Sequence, residues 1–327
     1  MHEGLPIQQL VLQSTWEVTE RSYFVAIRQE KLEEFAAVVG SQVDHPPKWD
    51  LEHHYADGTD KTAQWVLVLD ALNFSFWPDG EQERWRVPCH GGMVEGYYAL
   101  AHSLKRAVEI GEPITDAAFL REVNVADVKR VLDGEGVVPM LEERVAVLKE
   151  IGRVLEQRYG GSFANLLRKT GRSAAETVKL VVESFPCFND VASFEGETIY
   201  FFKRAQILVS DLWGAFAGTG LGNFRDLSTL TAFADYKLPQ LLRAVGVLEY
   251  SPPLARLVDN LIEVAAGSRE EVEIRAATVQ AVERIRRCLL TAGRQVDAFA
   301  IDWWLWDLSH APDYEKLPHH RTRTIFY

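Results

Sequence analysis

The chain has 327 residues, of which 47% are apolar and 25% charged, and this composition excludes disordered and fibrous proteins. Its formal net charge is −12 and the sequence contains no basic patch, so we expect neither a nucleic-acid polymer nor a membrane as partner. The three cysteines form no CxxC pair and no even disulfide framework, which favours a reducing compartment. The N-terminal residues lack a signal-peptide pattern, and we therefore expect a cytoplasmic protein.

Helical signals dominate the first half of the chain. Residues 29–39 are charged and apolar-periodic, which predicts a helix that stops at Gly40 before a ten-residue loop. A second helix is predicted over residues 96–109, with Gly111 after its end. Residues 141–159 carry apolar side chains at three- and four-residue steps, which predicts a long helix that stops at Gly160.

Two further helices are predicted from their first turns. Ser173 and Glu176 have the spacing of a capping box ahead of an apolar run, and Ser268 and Glu271 repeat that spacing before a helix that reaches about residue 290. Each pair predicts that a helix begins at the serine.

Strand signals are fewer. Residues 74–77 and 85–87, separated by a turn at residues 78–80, favour a β-hairpin, and residues 198–202 fit either a short strand or a helix entry. No repeat or linker divides the chain. The expected fold is one mainly α domain over residues 1–327, with a minor β element in its N-terminal half.

The motifs of several common enzyme classes are missing from the sequence. The adjacent histidine pairs at residues 53–54 and 319–320 point in different directions, and neither HExxH nor HxH occurs, so we expect no metal site. The glycine-rich residues 218–222 follow a helical pattern and lack the lysine of a phosphate loop. They fit a turn between helices or a hairpin beside a ligand pocket, and we expect no nucleotide cofactor. Without a GxSxG elbow, acyl transfer through a serine has little support.

Three carboxylates lie in unusually apolar sequence: Asp70, Asp235 and Asp302. A charged carboxylate in such surroundings needs a partner, because removal from water favours the neutral acid. Each of them fits a structural role, such as a helix cap or a pair with lysine. Each also fits a pocket in which a carboxylate reads a base or stabilises positive charge on a sugar.

Aromatic residues accompany these acids. Most of the nine tryptophans are expected in the core, but an aromatic wall beside an acid also suits a flat heterocycle, whose face stacks on the ring while the carboxylate reads its edge. The aromatic residues nearest the acids in sequence are Phe74, Phe76, Trp77, Trp303, Trp304 and Trp306.

Seven sequence blocks carry a resemblance to one family. They are DALNFSFWPD at residues 70–79, GYYAL at 96–100, GEPIT at 111–115, FFKRAQ at 201–206, LTAFADYKLPQ at 230–240, IDWWLW at 301–306 and HRTRTIFY at 320–327. In this order, over nearly the whole chain, they resemble the queuosine salvage proteins, enzymes that release queuine from queuosine 5′-monophosphate. The resemblance implies a mainly α fold related to the helix-hairpin-helix DNA glycosylases, and hydrolysis of an N-glycosidic bond.

The resemblance also implies roles for particular residues. Queuine has carbon where guanine has N7, so protonation at that atom cannot assist departure of the base. A carboxylate near the sugar and hydrogen-bond donors to the departing base remain available. We expect Asp235 to be the catalytic carboxylate, although a buried pair with Lys237 is its structural alternative.

The other candidates follow from the same blocks. The expected substrate-binding residues are Asp70, Asn73, Phe76, Trp77, Phe201, Lys203, Tyr236, Lys237, Asp302 and Trp306. Asp70 and Asn73 would read the guanine-like edge, and Phe76, Trp77 and Trp306 would stack on rings. The expected phosphate-binding residues are His53, Arg321 and Arg323.

Two alternatives stay open at the level of sequence. A DNA base-excision glycosylase could share the fold, and a non-catalytic protein could bind queuine or a nucleoside without cleaving it. The first conflicts with the charge of −12. We expect a monomer that acts on the small molecule queuosine 5′-monophosphate.

Overall fold

The computed structural model describes residues 5–43, 48–78, 80 and 82–327. Within these residues it contains fourteen α-helices and three antiparallel two-stranded sheets, which confirms the mainly α prediction. The sheets lie apart from one another, so helix packing builds the molecule. The relation to helix-hairpin-helix glycosylases stays a prediction.

The helices vary from one and a half to more than six turns. They are α1 (Ile7–Glu20), α2 (Gln29–Gln42), α3 (Asp60–Ala71), α4 (Gly96–Glu109), α5 (Ala117–Glu122), α6 (Val125–Val131), α7 (Leu141–Tyr159), α8 (Phe163–Lys169), α9 (Ala174–Ser184), α10 (Lys203–Ala215), α11 (Lys237–Ala244), α12 (Pro252–Asp259), α13 (Arg269–Thr291) and α14 (Ala298–Ser309). The strands are β1 (Val25–Ile27), β2 (Arg86–Cys89), β3 (Gly92–Glu95), β4 (Val191–Phe194), β5 (Glu197–Tyr200) and β6 (Leu248–Tyr250).

Both predicted serine caps are confirmed. The Ser173 hydroxyl accepts a hydrogen bond from the Glu176 N–H at 3.1 Å at the start of α9, and the Ser268 hydroxyl accepts one from the Glu271 N–H at 3.3 Å at the start of α13. Each serine therefore satisfies one of the free N–H groups of a first helical turn. The bounds of α4 and α7 also agree with the prediction.

The predicted stop at Gly40 is wrong, because α2 continues to Gln42. A Cβ on Gly40 would lie 2.7 Å from the Leu289 side chain, so this glycine permits close packing of α2 on α13. A glycine needed for close packing cannot be distinguished from a helix stop by sequence pattern. Residues 44–47 of the predicted loop lie outside the described residues.

The predicted hairpin is also wrong. Residues 74–77 form no strand, and the Ser75 N–H instead donates to the Tyr327 carbonyl at 3.0 Å. The observed hairpin pairs β2 with β3 across the turn at His90 and Gly91. Asp79 lies outside the described residues. The ambiguous segment at residues 198–202 contains strand β5, paired with β4.

Helix α13 connects the two hydrophobic clusters of the core. Val272, Ala276 and Val279 belong to the larger cluster, built around α3, α7 and α10. Ile274 and Ile285 of the same helix belong to the smaller cluster, built around α2, α11 and the β1–β6 pair. Helix α14 joins both clusters in the same way. The packing thus brings α3, α10, α11 and α14 together around one cavity.

Candidate active site

A cavity of about 900 Å³ opens between these helices. This volume lies in the range of small-molecule sites. Its walls come from residues 48–54, the residues after α3, the β3–α4 junction, one face of α10, residues 233–240, α14 and the C-terminal segment. Segments far apart in the sequence therefore meet at one surface.

Asp235 and Asp302 both line this cavity, and their side chains are 7% and 3% exposed. Asp235 Oδ1 accepts hydrogen bonds from the backbone N–H groups of Lys237 at 2.8 Å and Leu238 at 3.1 Å, at the start of α11. Asp302 Oδ1 accepts the Phe233 N–H at 2.7 Å. Backbone donors thus orient both carboxyl groups while the residues face the cavity.

The environment of Asp302 favours its neutral form. Burial raises the pKa of Asp302 to about 8, an effect that the Phe233 N–H opposes and that the nearby charge of Asp235 increases. Asp302 is therefore largely neutral at pH 7 and can donate a proton or a hydrogen bond.

Lys203 lies at the first turn of α10 and lines the same cavity with a 4% exposed side chain. Burial lowers its pKa, whereas the charges of Asp235 and Asp70 oppose that shift. Its backbone N–H donates to Asp190 Oδ2 at 3.1 Å, and Asp190 is in turn paired with Arg275. The buried ion pair therefore holds the start of α10 in place.

Asp70 lies behind the cavity surface and is not among its lining residues. Among the described residues no donor meets hydrogen-bond geometry to either of its carboxylate oxygens, although the side chains of Asn73 and Asp211 lie close enough to lower its pKa. Its neighbours are Lys203, Arg204, Asn73 and the carboxyl group of Asp211. Asp211 itself lines the cavity. Burial raises the pKa of Asp70 to about 8 and that of Asp211 well above its usual range. The two carboxyl groups are therefore not both negatively charged at pH 7.

Two buried arginines hold the chain after α3. Arg204 donates to the carbonyls of Asp70 and Ala71, and Arg144 donates to those of Leu72 at 2.5 Å and Phe74 at 2.7 Å. These positive charges satisfy carbonyls that a helix end leaves free. The segment they hold then carries Asn73, Phe76 and Trp77 to the cavity.

Aromatic side chains form much of the remaining wall. Trp77, Tyr236 and His319 make one group, with ring centroids 4.5–5.6 Å apart. Trp306 makes a second group with Tyr97 and Tyr98, at 5.5 Å from each. Faces and edges of these rings suit a flat heterocycle. Burial lowers the pKa of His319 to about 4, so this ring is neutral at pH 7.

Cationic side chains occur at the same cavity. Arg84 and Arg321 line it, and the charge of Arg84 together with burial lowers the pKa of Arg321. Arg321 Nε has no hydrogen-bond partner within the described part of the chain. Lys237 also lines the cavity, but its ammonium group pairs with Glu315 at 3.0 Å. The structural alternative for Asp235, an ion pair with Lys237, is therefore not the pairing observed.

The cavity brings together most of the predicted site residues, including the catalytic candidate Asp235 and the phosphate-binding candidate Arg321. It contains Asn73, Phe76, Trp77, Lys203, Asp235, Tyr236, Lys237, Asp302, Trp306 and Arg321. Four other candidates are not among its lining residues: Asp70, Phe201, His53 and Arg323. The ring of Phe201 packs 3.9 Å from the Arg275 guanidinium, and His53 lies behind the wall, where it bonds to the lining residue Asp50.

Sequence patterns did not identify six other lining residues: His54, Arg84, Tyr97, Tyr98, Asp211 and His319. The GYYAL block contained both tyrosines, and Asp211 lies two helical turns after Lys203, so a face-by-face reading of α10 would have found it. His54 donates to the Asp50 carbonyl and accepts the Tyr97 hydroxyl at 2.8 Å, with a pKa lowered by burial to about 4. Neither residue has a sequence signal for this contact.

The glycine-rich segment 218–222 is a turn after α10 that contains one turn of 3₁₀-helix, Gly220–Gly222. A Cβ on Gly222 would lie 2.4 Å from the Leu212 carbonyl, so this glycine is needed for close packing. None of the five residues lines the cavity. Among the described residues, no helix is both long enough and apolar enough to cross a bilayer.

Comparison with known proteins places the chain among named relatives. The family model described as "Queuosine salvage protein" matches residues 53–327. A protein from Sphaerobacter thermophilus named queuosine 5′-phosphate N-glycosylase/hydrolase is 48% identical over 317 residues, which cover 97% of each chain. Proteins of the same name from Bos taurus and Mus musculus are 42% and 40% identical, with 83% of each chain covered. The chain therefore belongs to the queuosine salvage protein family.

Proposed function

We propose that this protein hydrolyses the N-glycosidic bond of queuosine 5′-monophosphate, with water, to queuine and ribose 5-phosphate. One observation carries the proposal: Asp235 and Asp302 face the same aromatic-walled cavity. An acid near the sugar and a donor near the base are the two functions that this reaction requires. The names of the relatives, which describe this activity, support it.

Asp235 acts on the sugar side of the bond. Because a deazapurine has no N7 nitrogen that could be protonated, bond breaking leaves positive charge on the ribose and negative charge on the base. The Asp235 carboxylate, held by two backbone N–H groups, stabilises the positive charge or orients the attacking water. Buried Lys203 lies near Asp235, whose charge opposes the lowering of the lysine pKa by burial.

Asp302 acts on the base side. In its neutral form it donates a hydrogen bond or a proton to the departing base and so reduces the charge that develops there. Asn73 supplies amide groups to the guanine-like edge of the base. Rings of Trp77, Tyr236 and Trp306 enclose its faces.

The 5′-phosphate lies toward Arg84 and Arg321. Burial and the nearby charge of Arg84 lower the pKa of Arg321, so an anion beside the two side chains would stabilise the Arg321 charge, and the free Nε of Arg321 offers a donor. Arg84 also pairs with Glu95 at 3.0 Å. This assignment retains Arg321 from the predicted phosphate-binding set. It replaces His53 and Arg323, neither of which lines the cavity, by Arg84.

Incubation with queuosine 5′-monophosphate, followed by chromatography and mass analysis, tests the function. The expected products are queuine and ribose 5-phosphate in equal amounts, one pair for each nucleotide consumed. Intact nucleotide recovered together with stoichiometric binding would instead identify a carrier and overturn the proposal.

The DNA-glycosylase alternative makes a different prediction. It requires strong duplex binding that weakens steeply with salt, which conflicts with the net charge of −12. A gel shift at low salt is expected to show no complex. The proposal also extends to a monomeric state and to a location in the cytoplasm, and the three free cysteines support the location.

A further inference from the structure

A second cluster of side chains lies outside the cavity wall. Ligand atoms of Glu52, His53 and Cys89 all lie within 4.8 Å of one another. Cys89 Sγ is 3.8 Å from His53 Nε2 and 3.5 Å from Nδ1 of His102. The thiol is buried and His53 is largely buried, whereas Glu52 lies on the exposed side.

The two distances from Cys89 Sγ are close to the edge length of a tetrahedral zinc site. With Zn–S near 2.3 Å and Zn–N near 2.0 Å, tetrahedral angles place sulfur and nitrogen about 3.5 Å apart. Both sulfur–nitrogen separations of Cys89 are close to this value. A thiolate, an imidazole and a carboxylate are also an ordinary zinc donor set.

The second shell supports the same interpretation. His53 Nδ1 lies 2.5 Å from Asp50 Oδ2, so Nδ1 carries the proton and its N–H donates a hydrogen bond to the carboxylate. The lone pair of Nε2 then points toward Cys89. In zinc-bound histidines the N–H of the other ring nitrogen commonly donates a hydrogen bond to a carboxylate in this way. This hydrogen bond fixes the tautomer and the ring orientation.

We propose that Glu52, His53 and Cys89 bind a Zn²⁺ ion, with His102, whose Nδ1 lies 3.5 Å from the thiol, as the fourth ligand. Such an ion joins the turn at residues 50–54 to strand β2 and helix α4. Asp50 and His54 of that turn line the cavity, so the ion stabilises one cavity wall and takes no part in bond cleavage. This proposal replaces the expectation of no metal, which rested on local spacing, because His53 and Cys89 are 36 residues apart.

Cobalt substitution tests the site independently of glycosidase activity. The whole protein is freed of metal with a chelator, kept reduced with a phosphine and titrated with Co²⁺. One equivalent is expected to produce a thiolate-to-cobalt charge-transfer band in the near ultraviolet, and Zn²⁺ should remove it by displacement. A titration without such a band contradicts the proposal.

Variants locate the binding. Cys89→Ser is expected to abolish the band, whereas Cys288→Ser, which removes a partly exposed cysteine elsewhere, should retain it. Asp50→Ala, which removes the carboxylate behind His53 and the acceptor of the Glu52 N–H, should weaken Co²⁺ binding about tenfold to a hundredfold. If Cys89→Ser does not fold, the Asp50→Ala titration decides. A band that survives Cys89→Ser, or unchanged affinity in Asp50→Ala, overturns the site.

Discussion

Asp235 is oriented by the chain that follows it. Its Oδ1 accepts two backbone N–H groups at the start of α11, and the residue still lines the cavity. An asparagine side chain can accept the same two hydrogen bonds, so the fold should tolerate the exchange. The negative charge alone is lost.

We therefore expect Asp235→Asn to lower kcat about 10²–10⁴-fold with little change in melting temperature. Queuine release under saturating substrate measures kcat, and thermal unfolding measures stability. Asp259→Asn, which changes an acid of a surface ion pair on α12, is the matched control and should retain activity. Unchanged kcat in Asp235→Asn would remove this carboxylate from the mechanism.

The raised pKa of Asp302 predicts that kcat/KM falls at alkaline pH. Burial raises its pKa to about 8, so the neutral donor is present below that pH and is lost above it. We expect kcat/KM to fall above about pH 8, approaching tenfold per pH unit. Asp302→Asn should be slower and lack this decrease. The same decrease in the variant would assign the titration to another group.

At the level of secondary-structure elements, helix ends position the site. The carbonyls of residues 70–75 receive hydrogen bonds from Arg204 and Arg144 rather than from a strand partner. Arg144 also stacks over the Phe74 ring at 4.5 Å. Burial lowers its pKa to about 9, but it remains charged at pH 7. Its charge is balanced by carbonyl dipoles.

Replacement of Arg144 should therefore be costly. We expect Arg144→Met to lower the free energy of unfolding by about 3 kcal/mol or more, because several buried carbonyls lose their donor together. Arg153→Met, on an exposed position of the same helix, should change it by about 0.5 kcal/mol or less. Urea unfolding measures both variants. Equal stability of the two variants would show that water replaces the guanidinium.

The whole molecule combines buried acids with buried histidines. Burial raises the pKa values of Asp70 and Asp302 to about 8, and it lowers those of His54 and His319 to about 4 and that of His320 to about 3. Below pH 6.5 the unfolded chain protonates its histidines while the folded acids retain protons, so the two effects on stability oppose each other. In the window from about pH 7.5 to 9 the histidines are largely neutral in both states, and the difference in bound protons comes mainly from the acids.

In that window the folded state binds more protons than the unfolded state, so stability falls as pH rises. We expect a lower melting temperature at about pH 9 than at about pH 7.5, measured at constant ionic strength. Asp70→Asn should narrow this difference, because the amide does not ionise. Asp313→Asn, an exposed acid, should leave it unchanged. A melting temperature that rises across the window would contradict these protonation states.

The sequence by itself determined the elements whose signals are local. Serine caps, apolar periodicity and a left-handed glycine marked α7, α9 and α13, because each signal acts within one or two helical turns. It also determined that Asp235 and Asp302 needed an explanation, since their flanking residues are apolar over several positions.

Tertiary structure alone decided which residues share the cavity. Asp211, His319 and Arg84 reach it through helix packing and through the path of the C-terminal segment, whereas Phe201 packs against Arg275 instead. The strand predicted at residues 74–77 failed for the same reason, because the donors to its carbonyls come from α7. Contacts between distant segments depend on packing against the whole core, and no local pattern records them.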